Sequence, residues 1–320
     1  MSLKEEYFVP HHSFHCFSFP SVGTIVLRGK DAKDLLHRIS TNNVQSLQTG
    51  EWMKTILTTE KGRIIDVVIV FNCGTHLLLV TSDDKVTEVE KWIDRFIITE
   101  DVCVENVSER FFYFSLTGEN AEQYLRNLFP NFQLKNVQSF FSSNTEAPNS
   151  FLIFRDTQFT TPVFTLLLNE AEVARCSFFL SENPVYEILR IENGVPRFNV
   201  DYSSKHNPLE AGLQKYVSFS KGCYVGQEVI ARLDTYKKVQ RRLVGFSFGA
   251  INPLDARNEI FFEHSDVAVW TSSAFSSTKN EYIALGYLNS DIPETATLHT
   301  FSKSDEHVPV NICSLPFVDN

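Results

Sequence analysis

Trp52-Met53-Lys54-Thr55-Ile56-Leu57-Thr58-Thr59-Glu60-Lys61-Gly62-Arg63-Ile64-Ile65-Asp66-Val67-Val68-Ile69-Val70-Phe71 holds two apolar, β-branched runs around a polar turn. Trp52–Thr58 and Ile64–Phe71 read as strands, and Thr59 to Arg63 joins them as a hairpin. Asp66 interrupts the second run. A carboxylate there must be paired, hydrogen-bonded or lining a cavity. A salt bridge to a neighbouring Lys or Arg is the plainest of these readings. Outward from the hairpin, Gly23–Arg28 reads as a strand, and Asp31 as the N-cap of a helix over Ala32–Ile39. On the other side, Asn72 to Thr75 turns the chain into a strand over His76–Val80. Ser82 then caps a helix reaching Ile97, with Val86, Val89, Trp92, Ile93 and Phe96 on one face. Val102–Val107 and Phe111–Leu116 read as strands and Gly118–Phe129 as a helix. This order predicts an α+β fold with ferredoxin-like elements, not a doubly wound parallel sheet. No Gly-x-Gly-x-x-Gly follows a strand and no Walker loop occurs, so the dinucleotide and phosphate-loop signatures are missing.

Residues 133–150 read as a loop or insertion. Strands Phe151–Arg155 and Val163–Leu168 follow, then a helix over Glu170–Leu180. A second helix, Val185–Glu192, ends at Asn193-Gly194. After Tyr236 the pattern changes to short β-rich runs: Arg242–Phe248, Glu259–Glu263, Asp266–Thr271, Tyr282–Leu288, Ala296–Phe301 and Val308–Leu315. These predict a small barrel or sandwich as a separate C-terminal domain.

At 320 residues, 43% hydrophobic and 21% charged, the chain suits a soluble protein of two or three domains. Its 28 phenylalanines against 2 methionines supply large, rigid core pieces. The formal net charge of −10 repels nucleic acid unless a local basic patch intervenes. Lys237-Lys238-Val239-Gln240-Arg241-Arg242 is the one basic run, read either as a solvated linker or as a clamp for a polyanionic tail. The cysteines at 16, 73, 103, 176, 223 and 313 form no Cys-x-x-Cys unit. The expectation is reduced thiols in a cytoplasmic protein, with no zinc ribbon and no clustered iron–sulfur motif. The first twenty residues lack a signal or transit pattern, and no run approaches the roughly 18 apolar residues of a membrane span.

Lys221-Gly222-Cys223-Tyr224-Val225-Gly226-Gln227-Glu228 places one thiol between two glycines, beside a cation and a ring, at or just before a helix starting near Gln227. Backbone N–H groups and Lys221 would favour a thiolate, and Tyr224 offers a face to a planar ligand. The alternative is a small buried cysteine in a tight turn, with the glycines serving the backbone. A Cys–His hydrolase pair with His206, the nearest histidine in sequence, is the competing catalytic reading. Glu192, Asp201, Asn207 and Glu210 gather around a polar loop. They either pin that loop or accept hydrogen bonds from a ring N–H or exocyclic amine.

Together these segments resemble the folate-binding family of the glycine-cleavage T-protein and its YgfZ-type relatives. Lys221–Glu228 resembles the Lys-Gly-Cys-aromatic-x-Gly-Gln-Glu signature of the YgfZ branch. Leu27–Thr41 resembles the family's Gly-x-Asp-Ala helix with its Thr-Asn turn, and Leu57–Val70 its glycine hairpin. Arg190–Leu213 resembles the segment from Arg-x-Glu to Asn-Pro-x-Glu-x-Gly-Leu, and Val269–Leu288 the Thr-Ser and Ala-Leu-Gly segment. The likeness covers nearly the whole chain. One departure stands out: T-proteins carry two adjacent aspartates after the hairpin, the second catalytic. Here Asp66 matches the first and Val67 replaces the second.

The resemblance implies a three-domain ring around a channel that holds tetrahydrofolate. Residues 1–50 with 110–236 would form a discontinuous folate-binding domain, 51–109 an inserted ferredoxin-like domain and 237–320 the barrel. It implies folate contacts from Glu192, Arg241, Asp66 and Asn207, and a reactive thiol at Cys223. The implied role is an accessory to iron–sulfur cluster assembly or repair in client enzymes, including tRNA-modifying ones. No permanent metal or cluster, no membrane and no direct nucleic-acid contact are expected. The competing readings are a folate-dependent aminomethyl or methyl transferase, disfavoured by Val67, and an RNA-associated adaptor using Lys237–Arg242.

Overall fold

The structure, a computed structural model, describes residues 14–142, 150–176, 180–181 and 183–318. Strand β1 (His15–Ser18) leads into β2 (Val22–Arg28), β3 (Trp52–Thr58), β4 (Ile64–Asn72), β5 (Leu77–Asp83) and β6 (Cys103–Asn106). The last five form an antiparallel sheet in the order β3-β4-β5-β2-β6. Helices α1 (Ala32–Ile39) and α2 (Val86–Asp94) cover one face, where Leu35, Leu36, Val89, Trp92 and Ile93 pack on Ile25, Leu27, Val68, Val70 and Leu79. The helix expected to start after Ser82 begins at Val86. Ser82 remains in β5, where its amide N–H donates to Asp66 Oδ2 at 3.0 Å, and Asp84, at φ 57°, turns the chain. That bond holds the backbone extended where the sequence suggested a cap.

The opposite face meets a second antiparallel sheet. It contains β1, β7 (Phe112–Thr117), β8 (Phe140–Ser142), β9 (Leu152–Arg155) and β10 (Val163–Leu168), in the order β1-β7-β10-β9-β8. Aromatic rings fill the interface: Phe154 lies 4.5 Å from Trp52 and 5.2 Å from Phe71 between ring centroids. β8 falls within the stretch read as a loop. Phe140, buried 5.4 Å from Phe71, anchors it there, while 143–149 lie outside the described residues. Helix α3 (Ala121–Leu128) covers the outer face through Ala121 and Leu125. Helix α4 (Glu170–Arg175) is shorter than the expected Glu170–Leu180, and residues 177–179 of that span are outside the described set.

Helix α5 (Asn183–Glu192) bridges the second sheet and the C-terminal barrel, with Ile191 among Ile283, Leu285 and Phe317. All six C-terminal strands form: β11 (Arg241–Gly249), β12 (Glu259–Phe262), β13 (Ser265–Ser276), β14 (Glu281–Asn289), β15 (Leu298–Phe301) and β16 (His307–Cys313). They close a barrel in the order β11-β14-β13-β12-β15-β16 around Phe246, Ile260, Leu288 and Val310. Between α5 and α6 (Gln227–Thr235) the chain is mostly turns. Phe198, Tyr202, Leu213, Tyr216 and Tyr224 tack that segment onto Ile56 and Ile64 of the hairpin. Among the described residues, no helix is long and apolar enough to cross a membrane.

Candidate functional site

A cavity of about 170 Å³ lies where the two sheets, α5 and the segment 195–216 converge. Side chains alternate along β4, so Val67 and Ile69 face the cavity while Val68 and Val70 face the helices. Tyr113, Tyr186, Tyr202 and Tyr216 line the rest with Lys54, Gln158, Arg190 and Arg197.

Two buried ion pairs build the polar part of the wall. Lys54 Nζ lies 3.0 Å from Asp156 Oδ2, and both side chains are 7% exposed. Gln158 Nε2 donates to the same carboxylate at 3.2 Å, and its Oε1 accepts from the Tyr216 hydroxyl at 2.8 Å. Arg190 Nη1 donates to Asp201 Oδ2 at 2.8 Å, with side-chain exposures of 1% and 0%. Arg190 Nε also donates to Glu187 Oε2 at 2.8 Å. Asp201 further accepts the Arg197 amide N–H at 2.9 Å and the hydroxyls of Thr271 and Ser272 at 2.6 Å each. One carboxylate thereby joins α5, the irregular segment and the barrel. Burial pushes the phenols of Tyr113, Tyr186, Tyr202 and Tyr216 well above their ordinary range, so they remain O–H groups at neutral pH. Neutral donors and acceptors between apolar walls suit a flat, polar heterocycle.

Asp66 is fully buried on the other face of β4, accepting N–H bonds from Val67 at 2.8 Å and Ser82 at 3.0 Å. Burial outweighs these bonds and raises its carboxyl from 3.8 to about 7. The folded chain therefore holds this proton between about pH 4 and 7, where the unfolded chain has lost it. Stability should fall as pH rises through that window. In Asp66→Asn, denaturant midpoints measured from pH 4 to 8 should lose this component of the slope.

None of the four residues expected to contact folate lines the cavity. Asp66 is tied to its wall through the amides of Val67 and Ser82. Glu192 opens onto a different cleft, with one carboxylate oxygen accepting from Ser276 Oγ at 2.6 Å. Asn207 Oδ1 accepts the amides of Leu209 and Glu210, pinning its own turn. Arg241 stacks over Tyr287, 5.1 Å from the ring centroid, beside His206.

The Lys221–Glu228 turn is strapped between α1 and the hairpin. Lys221 Nζ donates to the carbonyls of His37, Ser40 (2.8 Å) and Asn42 (2.9 Å), neutralising the C-terminal end of α1. The Val225 N–H donates to Arg38 O, and Thr58 Oγ1 donates to Val225 O at 2.7 Å. Tyr224 is buried among Ile56, Ile64 and Ile230, so its ring is core and not a ligand platform. Cys223 is exposed, four residues before the start of α6 at Gln227. The glycines differ. Gly226 sits at φ 82°, where a Cβ would lie 2.5 Å from Thr59 O, whereas a Cβ on Gly222 would meet nothing within 4 Å. Gly226→Ala should therefore cost about 1–3 kcal/mol, and Gly222→Ala within about 0.5 kcal/mol, in paired urea titrations.

The sequence reading missed Lys54, Asp156 and the four tyrosines. Lys54 had a visible signal: it interrupts an apolar strand, as Asp66 does. The tyrosines come from separated segments and carry no local signal. The two arginines of the basic run diverge, Arg241 toward Tyr287 and Arg242 to within 3.2 Å of Glu294.

A family model described as the GCVT N-terminal domain matches residues 2–155, and one described as the glycine cleavage T-protein C-terminal barrel domain matches 241–319. A putative chloroplastic transferase of Arabidopsis thaliana is 26% identical over 83% of this chain, which spans 63% of that protein. An aminomethyltransferase of Caldanaerobacter subterraneus is 24% identical over 90% of the chain and 80% of its own length. One of Halothermothrix orenii is 25% identical over 99% and 92%. The crystal structure of glycine cleavage system aminomethyltransferase T from Bartonella henselae superposes with a TM-score of 0.84 at 18% identity, covering 99% of this chain and 89% of that one.

Proposed function

Because the chain belongs to the glycine cleavage T-protein superfamily, we propose that it binds a reduced folate in the central cavity and supports iron–sulfur cluster assembly or repair in client enzymes, without transferring aminomethyl groups. The observation that carries this reading is Val67. The wall position where the resemblance implies a catalytic aspartate holds an apolar side chain. Valine can neither exchange a proton nor orient a ring nitrogen. The neighbouring Asp66 is turned from the cavity and held by two amides.

The cavity suits the ring system of a folate. Its phenols and the Gln158 amide offer hydrogen-bonding partners, and Val67, Ile69 and Val80 offer apolar contact. A reduced folate there would supply a ring able to carry one-carbon units. Residues around it hold and shield the ring, while Asp66 and Asn207 fix Ser82 and the polar loop behind the wall. The iron–sulfur role rests on the likeness of Lys221–Glu228 to the YgfZ signature and on the exposure of Cys223. Cys223 lies outside the cavity lining, so it would meet a client at the surface and not the folate.

The test is a tetrahydrofolate titration of wild type and Cys223→Ala, followed by rescue of an iron–sulfur enzyme in cells lacking the protein. Cys223→Ala should bind folate as wild type does and fail to rescue. Full rescue would remove the thiol from the account. Aminomethyl turnover that depends on Asp66 would overturn the accessory reading in favour of a transferase.

A further inference from the structure

The Asp66 carboxyl is buried, but a polar path leads from it to the cavity. Its Oδ2 accepts the Ser82 amide N–H, and the Ser82 side chain hydrogen-bonds both the Asp66 carboxyl and the Tyr202 phenol. Ser82 and Tyr202 line the cavity. The three residues thus form a chain of hydrogen-bonding groups that starts behind β4 and ends at the cavity wall. Ser82 can stand in the middle because the β4–β5 ladder ends at Ile69 and Val80, beyond which the Ser82 amide turns to Asp66. Around Asp66, β3 places Leu57 opposite it, and the turn before α2 brings the Lys85 ammonium. Lys85 is itself paired with Glu88 and lies 4.5 Å from the centroid of the Phe198 ring. On the far side of Tyr202 stand Asp201 and Tyr287.

A hydroxyl donates one hydrogen bond and accepts others, so a chain through two hydroxyls has a direction. With Asp66 ionised, the Ser82 O–H donates to the carboxylate and the Tyr202 O–H donates to Ser82 Oγ. A lone pair of the phenol is then left for an occupant of the cavity. With Asp66 protonated, its O–H donates to Ser82 Oγ and the Ser82 O–H donates to the phenol oxygen. The Tyr202 O–H is then left to donate. We propose that Asp66 sets the polarity of this chain and thereby selects the reduction level of the bound folate. This rests on the folate reading above. A tetrahydropterin carries N–H at both nitrogens of its reduced ring and suits the acceptor. A 7,8-dihydropterin has a bare imine nitrogen at one of them and suits the donor. Burial places the change of state at a pH of about 7, and inside the protein a mismatched pair of polar groups is costly.

The experiment titrates tetrahydrofolate and 7,8-dihydrofolate into the full chain without oxygen, at pH 6 and pH 8. The variants are Asp66→Asn, Ser82→Ala, Tyr202→Phe and Ser82→Thr, with unfolding midpoints measured alongside. In wild type the preference for tetrahydrofolate over dihydrofolate should rise by about five-fold or more from pH 6 to pH 8. Ionisation of the ligands themselves is common to all variants and cancels in the comparison. The shift should vanish in Asp66→Asn, which does not titrate, and in Ser82→Ala and Tyr202→Phe, which break the chain. Ser82→Thr keeps the hydroxyl and should keep the shift, which a merely structural serine would not require. A wild-type preference that is the same at both pH values would overturn the inference and leave the folate reading standing. So would a shift that survives in folded Asp66→Asn or Ser82→Ala. If wild type binds neither form, the folate reading fails and this inference falls with it.

Discussion

Asp201→Ala is expected to lower the unfolding free energy by about 3–5 kcal/mol. The magnitude comes from what the substitution leaves behind. Arg190 is 1% exposed, and Asp201 is one of its two carboxylate partners. Removing Asp201 strands part of that charge in a site with little access to water, together with the Arg197 amide and the hydroxyls of Thr271 and Ser272. The same carboxylate ties the irregular segment to the barrel, so its loss also loosens one side of the cavity. Asp201→Asn keeps an acceptor for some of these donors and should cost less. Urea titrations at pH 7 test this. A midpoint for Asp201→Ala within experimental error of wild type would show that the linkage contributes nothing.

Lys54→Met is the second large effect, also about 3–5 kcal/mol. It leaves the Asp156 carboxylate buried with the Gln158 N–H donors and without its ion-paired lysine. A methionine fills much of the lysine's volume, so the loss reports charge and not a void. Adding Asp156→Leu should recover much of the loss, because replacing both members of a buried ion pair is far less costly than orphaning one. The double-mutant cycle measured by denaturant unfolding supplies the coupling. Additive losses would mean that the two groups do not act as a pair.

Local pattern carried the fold further than the site. The hairpin around Gly62, helix α1 and the six barrel strands are encoded by short-range alternation and turn residues, and they form where expected. Strand β8 was hidden because its three residues depend on Phe140 finding Phe71, a contact no window of sequence contains. The pairing of β2 with β5 is likewise long-range. Ser82 had the chemistry of a helix cap, but the buried Asp66 carboxylate competes for its amide and keeps it in a strand. In the signature turn the residue types were legible and their duties were not. Lys221 serves the end of α1, Tyr224 serves the core, and Gly226 alone of the two glycines meets a steric demand. Lys54 and Asp156, about a hundred residues apart, become a site only when the two sheets pack.

The most direct measurement is calorimetric titration of tetrahydrofolate into wild type and Val67→Phe, with unfolding midpoints checked in parallel. Val67 lines the small cavity, so a phenylalanine ring there occupies the space assigned to the folate head. Saturable, one-to-one binding by wild type and a loss of ten-fold or more in a folded Val67→Phe protein is the expected result. A wild type that does not bind, or a Val67→Phe protein that binds equally well, would contradict the account.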